Sequence, residues 1–148
     1  MIKNRKLIAE TIRKVFADMF FIDVEEVDTL VLEKPWDIII KTEIIKPFQG
    51  FFYLYLNQDM QKTAVENIFA ENFENLDSKK KEDCLLELLN VISGNILRVV
   101  FQDEKEKHYE VKVPQVLHDE SIAENEITLF FQAEGSFFQF SVQLFEQK

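Results

Sequence analysis

The chain has 148 residues, of which 47% are hydrophobic, so we expect one domain over residues 1–148 with one core. A net charge of -10 and the lack of a basic stripe argue against nucleic acid as a partner. No apolar run approaches a membrane span, and no signal peptide is recognisable, so we expect a cytoplasmic protein without membrane attachment. We interpret the single cysteine, Cys84, as a small hydrophobic residue on a helix.

The first third of the chain reads as a helix followed by a hairpin. Apolar residues at helical spacing predict a helix over about residues 3–20. β-branched and aromatic residues then predict two strands, 36–45 and 50–56, joined by a turn that contains Pro47.

Two further helices are predicted in the middle of the chain. Asn57 is a suitable N-cap for a helix over about residues 57–73, which should pack through Ala64, Ile68 and Phe69. The longest helix should begin at Asp77 or Ser78, either of which can cap it, and should run to Val100.

Three more strands are predicted after the longest helix. They cover residues 108–113, 126–133 and 136–145, and the last two form a hairpin around Gly135. The resulting order is α-ββ-α-α-β-ββ, which predicts an α+β fold with a sheet of about five to six strands covered on one face by helices.

The two halves of the chain resemble each other weakly. Residues 9–20 align without gaps with residues 86–97, which places Glu10 on Glu87, Arg13 on Asn90 and Ala17 on Gly94. Each helix is also followed by a hairpin of similar type. We interpret this as an internal pseudo-repeat, with an extra strand at 108–113 in the second half; chance similarity between two amphipathic helices is the alternative.

The longest helix carries a polar stripe opposite its apolar face. The apolar face consists of Leu85, Leu88, Leu89, Ile92, Ile96, Val99 and Val100. On the other side, Asp83, Glu87, Asn90 and Gly94 follow the spacing i, i+4, i+7, i+11. A solvated helix face is the simplest reading of such a stripe. Glycine in mid-helix costs about 0.5 to 1 kcal/mol relative to alanine, however, so we infer that Gly94 allows a partner protein to approach closely.

The pattern Asp83-x3-Glu87-x2-Asn90, followed by Gly94-Asn95 and by Pro114, resembles the CheC/CheX/FliY phosphatases of bacterial chemotaxis. The resemblance also covers chain length, element order and the half-repeat. CheC members have two active helices and CheX members have one. Because Arg13 stands where an active first helix would have Asn, the chain is similar to the CheX type. Its segment VKVPQVLHDE lacks the glycines that often accompany the proline.

The resemblance implies a phosphatase of two-component signalling, a hydrolase that acts on the phosphoaspartate of a CheY-like receiver domain. Asn90 would then position the attacking water, and Glu87 would pair with a lysine of the receiver. Asp83 and Gly94 would contact the partner. The receiver would supply Mg²⁺, so no metal or cofactor is expected in this chain, and His108 and His118 are expected at the surface without a metal.

Two other functions remain open at this point. One is a non-catalytic module of the same fold that binds a receiver or a flagellar-switch component. The other is a structural dimerisation domain without a signalling partner. CheX-type proteins are commonly dimers joined at a sheet edge, so we expect a homodimer in which strands 51–56 and 137–145 provide such an edge.

Overall fold

A computed structural model describes residues 5–28, 36–100, 109–117, 127–133 and 135–145. It confirms the α+β class and the predicted order of the main elements. None of the helices within those ranges is long and apolar enough to span a membrane. The helices are α1 (Arg5–Phe20), α2 (Gln58–Phe69) and α3 (Ser78–Val100), with a short 3-10 turn at Phe73–Asn75. The strands are β1 (Glu25–Val27), β2 (Ile38–Lys46), β3 (Gly50–Leu56), β4 (Glu110–Val111), β5 (Gln115–Val116), β6 (Ile127–Ala133) and β7 (Ser136–Leu144).

The described strands form one antiparallel sheet of seven strands, in the order β1-β6-β7-β3-β2-β4, with β5 also paired to β2. The sequence predicted five or six strands, and it missed the three-residue β1. The predicted strand at 108–113 contains only β4, and the sequence also missed β5, which follows a bulge in the chain after β4. Here Pro114 has no N–H to donate, and the hydroxyl of Thr42 donates to the carbonyl of Lys112 at 2.6 Å.

The strand order has an approximate two-fold symmetry that confirms the internal pseudo-repeat. β3 and β7 pair with each other at the centre, and their hairpin partners β2 and β6 flank them. The first strand of each half pairs with a strand of the other half: β1 of the first half pairs with β6, and β4 of the second half pairs with β2. The strand that looked like an addition to the second half therefore has a counterpart, β1, in the first.

The predicted dimer edge is wrong. Residues 51–56 and 137–145 fall on β3 and β7, which are the two central strands of the sheet. They pair along their whole length, from Gly50 opposite Leu144 to Leu56 opposite Phe138, so their backbone groups are already occupied. Gly50 is required for this pairing, because a Cβ there would overlap the backbone carbonyl of Gln143.

The helices cover one face of the sheet and share one hydrophobic core with it. Stacked aromatic rings attach α1 to the second hairpin. The ring centroids of Phe131 and Phe138 lie 4.7 Å apart, and those of Phe138 and Phe16 lie 4.3 Å apart. Such stacked pairs add about 0.5 to 1.5 kcal/mol each beyond their burial, so they hold α1 firmly against the sheet.

Asn57 caps α2 as predicted and also connects it to β7. Its Oδ1 atom accepts hydrogen bonds from the backbone N–H of Met60 at 2.9 Å and of Phe137 at 3.1 Å. Ala64 is buried as predicted, together with Met60 and Val65, but the prediction is wrong for Ile68 and Phe69, which are 38% and 37% exposed. Asn67 instead faces the end of α1, where its amide donates to the carbonyl of Phe20 at 2.7 Å.

Replacement of Asn57 by Ala should lower the free energy of unfolding by about 1 to 2 kcal/mol, because two backbone N–H groups lose their acceptor. Urea denaturation measures this change. Asn72→Ala is the matched control: Asn72 precedes the 3-10 turn without a side-chain capping bond, and its replacement should stay within about 0.5 kcal/mol. Equal effects of the two substitutions would contradict the dual role of Asn57.

Candidate functional site

The helix α3 begins and ends where the sequence predicted. Asp77 is its cap, because the Asp77 Oδ1 atom accepts from the backbone N–H of Lys80 at 2.8 Å. The remaining 23 residues run without interruption from Ser78 to Val100. A long, regular helix of this kind holds its side chains at fixed spacing, which makes the direction of each one predictable.

The predicted apolar face of α3 lies on the core. Five of its members are fully or almost fully buried and two are half-buried: Leu85, Leu88, Leu89, Ile92 and Ile96, then Val99 and Val100. On the opposite side, Asp83, Glu87 and Asn90 are exposed and Gly94 is half-exposed. We call these four residues the α3 stripe. Eleven residues separate its ends, so it is about 16 Å long.

The polar side chains of the α3 stripe have no partners among the described residues. Within the described ranges, Asp83, Glu87 and Asn90 make no side-chain hydrogen bond and no ion pair. The neighbouring Asn95 behaves differently, because its amide donates to the carbonyl of Val91 at 2.8 Å. The stripe therefore exposes two carboxylates and one carboxamide that no described residue of the chain engages.

No packing constraint among the described residues accounts for Gly94. Apart from the adjacent backbone of α3, no heavy atom of the described residues would lie within 4 Å of a Cβ built on this residue. Glycine at this position therefore makes α3 less stable than alanine would, and no contact among the described residues requires it. This supports the interpretation that the flat surface at Gly94 serves contact with another molecule.

The aligned positions on α1 face outward too, but one of them is engaged. Glu10, Arg13 and Ala17 are exposed, as are their counterparts Glu87 and Asn90. The Nε atom of Arg13 donates to the carbonyl of Val24 at 3.0 Å and so ties α1 to the segment that enters β1. Arg13 of α1 therefore makes a structural hydrogen bond, whereas Asn90, at the equivalent position of α3, makes none among the described residues.

Of the other residues considered from the sequence, Pro114 belongs to the sheet and not to α3. Pro114 is buried in the bulge between β4 and β5 at the edge of the sheet. His108 and His118 lie outside the described residues. Among the residues that are described, no cluster of His, Cys, Asp or Glu has the arrangement of a metal site.

Cys84 is on the buried side of α3, as predicted. Burial raises the pKa of its thiol from an ordinary value of about 9 to about 11. At neutral pH this residue is therefore a protonated, apolar component of the core and not a nucleophile.

Sequence analysis missed a groove that runs between α1 and α3, beside the stripe. It has a volume of about 510 Å³, and its α3 wall includes Val91 and Val99. The sequence signal for it is weak: Val99 belongs to the predicted apolar face, Val91 lies outside that face, and both are half-buried.

The sequence matches a family model described as "Chemotaxis phosphatase CheX" over residues 38–132. A search of curated proteins gives no match. The matched range contains the entire α3 stripe, Pro114, the first hairpin and all of β6 except its last residue.

Solved structures share the fold at low sequence identity. The chemotaxis protein CheX from Vibrio vulnificus superposes with a TM-score of 0.75 at 13% identity, covering 96% of this chain and 95% of that one. CheX from Desulfovibrio desulfuricans gives 0.76 at 14% identity, with coverage of 97% and 100%. CheX in a CheX–CheY–BeF3–Mg²⁺ complex from Borrelia burgdorferi gives 0.74 at 14% identity, with coverage of 99% and 100%.

Replacement of Gly94 by Ala should raise the free energy of unfolding by about 0.5 to 1 kcal/mol, because the new Cβ meets no atom and alanine favours the helix. Gly135→Ala is the matched control. That residue also has open space around it, but its φ of +85° is unfavourable for alanine, so the protein should be destabilised by about 1 kcal/mol. Urea denaturation of both variants decides; a loss of stability in Gly94→Ala would reveal an internal role for this glycine.

Iodoacetamide should modify Cys84 at least about 100-fold more slowly in the folded protein than in urea, because at pH 8 only about one thiol in a thousand is ionised when the pKa is about 11. The same shift makes stability depend on pH. A raised pKa favours folding below the pKa of the unfolded thiol, and this contribution is lost as the pH rises from about 9 to about 11. Equal labelling rates in the two states would show that Cys84 is accessible.

Proposed function

Because the chain belongs to the CheX family of chemotaxis phosphatases, we propose that it hydrolyses the phosphoaspartate of a CheY-like receiver domain. The family model contains the whole α3 stripe. The Borrelia structure with the same fold contains CheX together with CheY, BeF3 and Mg²⁺, which supports a receiver as partner. The observation that carries the proposal is the exposed carboxamide of Asn90, which makes no hydrogen bond among the described residues.

Asn90 has the role of positioning water. Its amide oxygen accepts a hydrogen bond from the attacking water, and its amide group stays uncharged beside the phosphoryl oxygens. Hydrolysis of an acyl phosphate depends mainly on placing the nucleophile in line and on stabilising charge, so one oriented water suffices for a large effect. Each 1.4 kcal/mol gained in the transition state accelerates the reaction tenfold.

Glu87 holds the two proteins in register. It lies almost one turn before Asn90 on the same exposed side of α3, where its carboxylate can pair with a lysine of the receiver. That ion pair directs the Asn90 amide toward the phosphoaspartate. Asp83 extends the polar contact by one more turn, and Gly94 lets the backbone of the receiver lie close to α3.

The chemistry of the phosphoryl group requires a cation, which we assign to the receiver. Mg²⁺ bound next to the phosphoaspartate neutralises the phosphoryl oxygens during transfer. The contribution of this chain is therefore to bind the receiver and to hold the attacking water in line with the phosphoryl group. A receiver loaded with BeF3 and Mg²⁺ is the corresponding stable probe for binding.

Replacement of Asn90 by Ala should return the decay of a phosphorylated receiver to its spontaneous rate, a loss of at least about 100-fold in kcat, because the water loses its orienting group. Affinity for the BeF3-loaded receiver should change less than about threefold. Phosphate release under steady-state conditions and a binding titration measure the two quantities. Asn72→Ala, an exposed asparagine without a side-chain capping bond, is the control and should retain full activity.

Different outcomes separate the proposed enzyme from the two other candidates. Wild-type protein that binds a receiver but leaves its phosphate decay unchanged would be a non-catalytic binding module. If the wild-type protein binds no receiver of its organism, the remaining candidate is a structural dimerisation domain. In that case charge reversal at Glu87 should alter no binding measurement.

A further inference from the structure

The α3 stripe is too small to be a complete docking surface. Specific protein interfaces bury about 800 Å² on each partner and involve roughly 20 residues a side, whereas the stripe has four residues along one helix. A receiver centred on Asn90 must therefore also contact what lies beside the stripe. On the α1 side, that neighbour is the groove between α1 and α3.

The floor of this groove is effectively apolar. Val91 and Val99 of α3 and Val15 of α1 contribute methyl groups to it. The two polar residues on the floor are each engaged within the chain: the Thr11 hydroxyl donates to the carbonyl of Leu7 at 2.7 Å, and the Asn95 amide donates to that of Val91 at 2.8 Å. An incoming group therefore meets methyl groups, and the Thr11 hydroxyl hydrogen and one of the two Asn95 amide N–H groups are already hydrogen-bonded.

The rim of the groove is charged and partly fixed in place. Lys14 and Asp18 stand on the α1 side and Arg98 on the α3 side, and all three are exposed. The Nη2 atom of Arg98 donates to Oδ1 of Asn95 at 2.5 Å, which holds the guanidinium on the edge. Charges of both signs around an apolar floor favour one orientation of a partner over others, and they add little net attraction.

We propose that this groove receives an apolar side chain of the same phosphorylated receiver on which Asn90 acts, and that the groove supplies affinity and specificity, not catalysis. The inference rests on the proposed function for the identity of the partner. Its basis is continuity: Val91 and Asn95 alternate along α3 with Asn90 and Gly94, so a surface lying flat on Gly94 also covers the groove. Buried anchors of this kind typically carry most of the energy of an interface.

Replacement of Val99 by Glu tests the groove without altering the surroundings of Asn90, since nine residues along α3 place Val99 about 14 Å from Asn90. The introduced carboxylate should raise KM for the phosphorylated receiver at least about tenfold and leave kcat unchanged. Val111→Glu is the matched control, because Val111 is also a half-exposed valine but lies on β4. It should leave KM within twofold of wild type, as should Val99→Glu if the proposal is wrong.

A second measurement avoids any risk that the variant folds poorly. Titration of wild-type protein with a receiver carrying BeF3 and Mg²⁺ should shift the methyl NMR signals of Val91 and Val99 and leave those of Val111 unchanged. Binding without shifts in the two groove valines would overturn the proposal.

The two proposals fail in different ways. If wild-type protein binds the receiver and shifts the groove methyl signals but does not accelerate phosphate loss, the phosphatase activity is refuted and the groove remains a docking site. If acceleration is seen and neither KM nor the methyl signals respond, the groove is refuted alone. If no receiver binds, both are overturned.

Discussion

Burial of the apolar face of α3 determines the orientation of everything on its other side. Five leucine and isoleucine side chains of this helix are buried to at least 99%. At about 1.5 to 3 kcal/mol for each, their burial contributes on the order of 10 kcal/mol, which is comparable to the whole stability of a domain. Rotation of α3 by one residue would bury Glu87 or Asn90 without a partner, so the core fixes the stripe outward.

Local physics explains which parts of the fold could be predicted from the sequence. The limits of α3, the cap at Asn57 and the hairpin at Gly135 depend on residues near one another in the chain, and all three were predicted. By contrast, β1 has three residues and exists because it pairs with β6, about 100 residues later. The central position of β3 likewise depends on its pairing with β7, which no local pattern encodes.

The same division applies to the site. Helical spacing was enough to place Asp83, Glu87, Asn90 and Gly94 on one exposed line. The groove beside this line could not be predicted, because it depends on how closely α1 lies against α3. Neither could the hydrogen bond from Arg13 to the carbonyl of Val24, because it joins a helix to a connecting segment 11 residues away.

That hydrogen bond accounts for the asymmetry between two otherwise equivalent helices. Over residues 8–20 and 85–97 the two helices alternate buried and exposed positions in nearly the same way, so the fold itself distinguishes them little. The difference lies in what the outward side chains do. On α1 the central one stabilises the approach to β1, and a residue occupied in this way is not available to a partner.

Charge provides the last constraint on the proposed reaction. A chain with a net charge of -10 approaches a negatively charged phosphoryl group against electrostatic repulsion. At the reacting position a carboxylate would add to that repulsion, and a cation would compete for the phosphoryl oxygens, whereas the amide of Asn90 has the donors and acceptor to orient water without net charge. The two carboxylates of the stripe stand one and two turns before Asn90, where they can meet cations of the partner at a distance from the reacting atoms. In the proposed reaction, the order of charges along α3 would thus separate attraction between the proteins from chemistry at the phosphate.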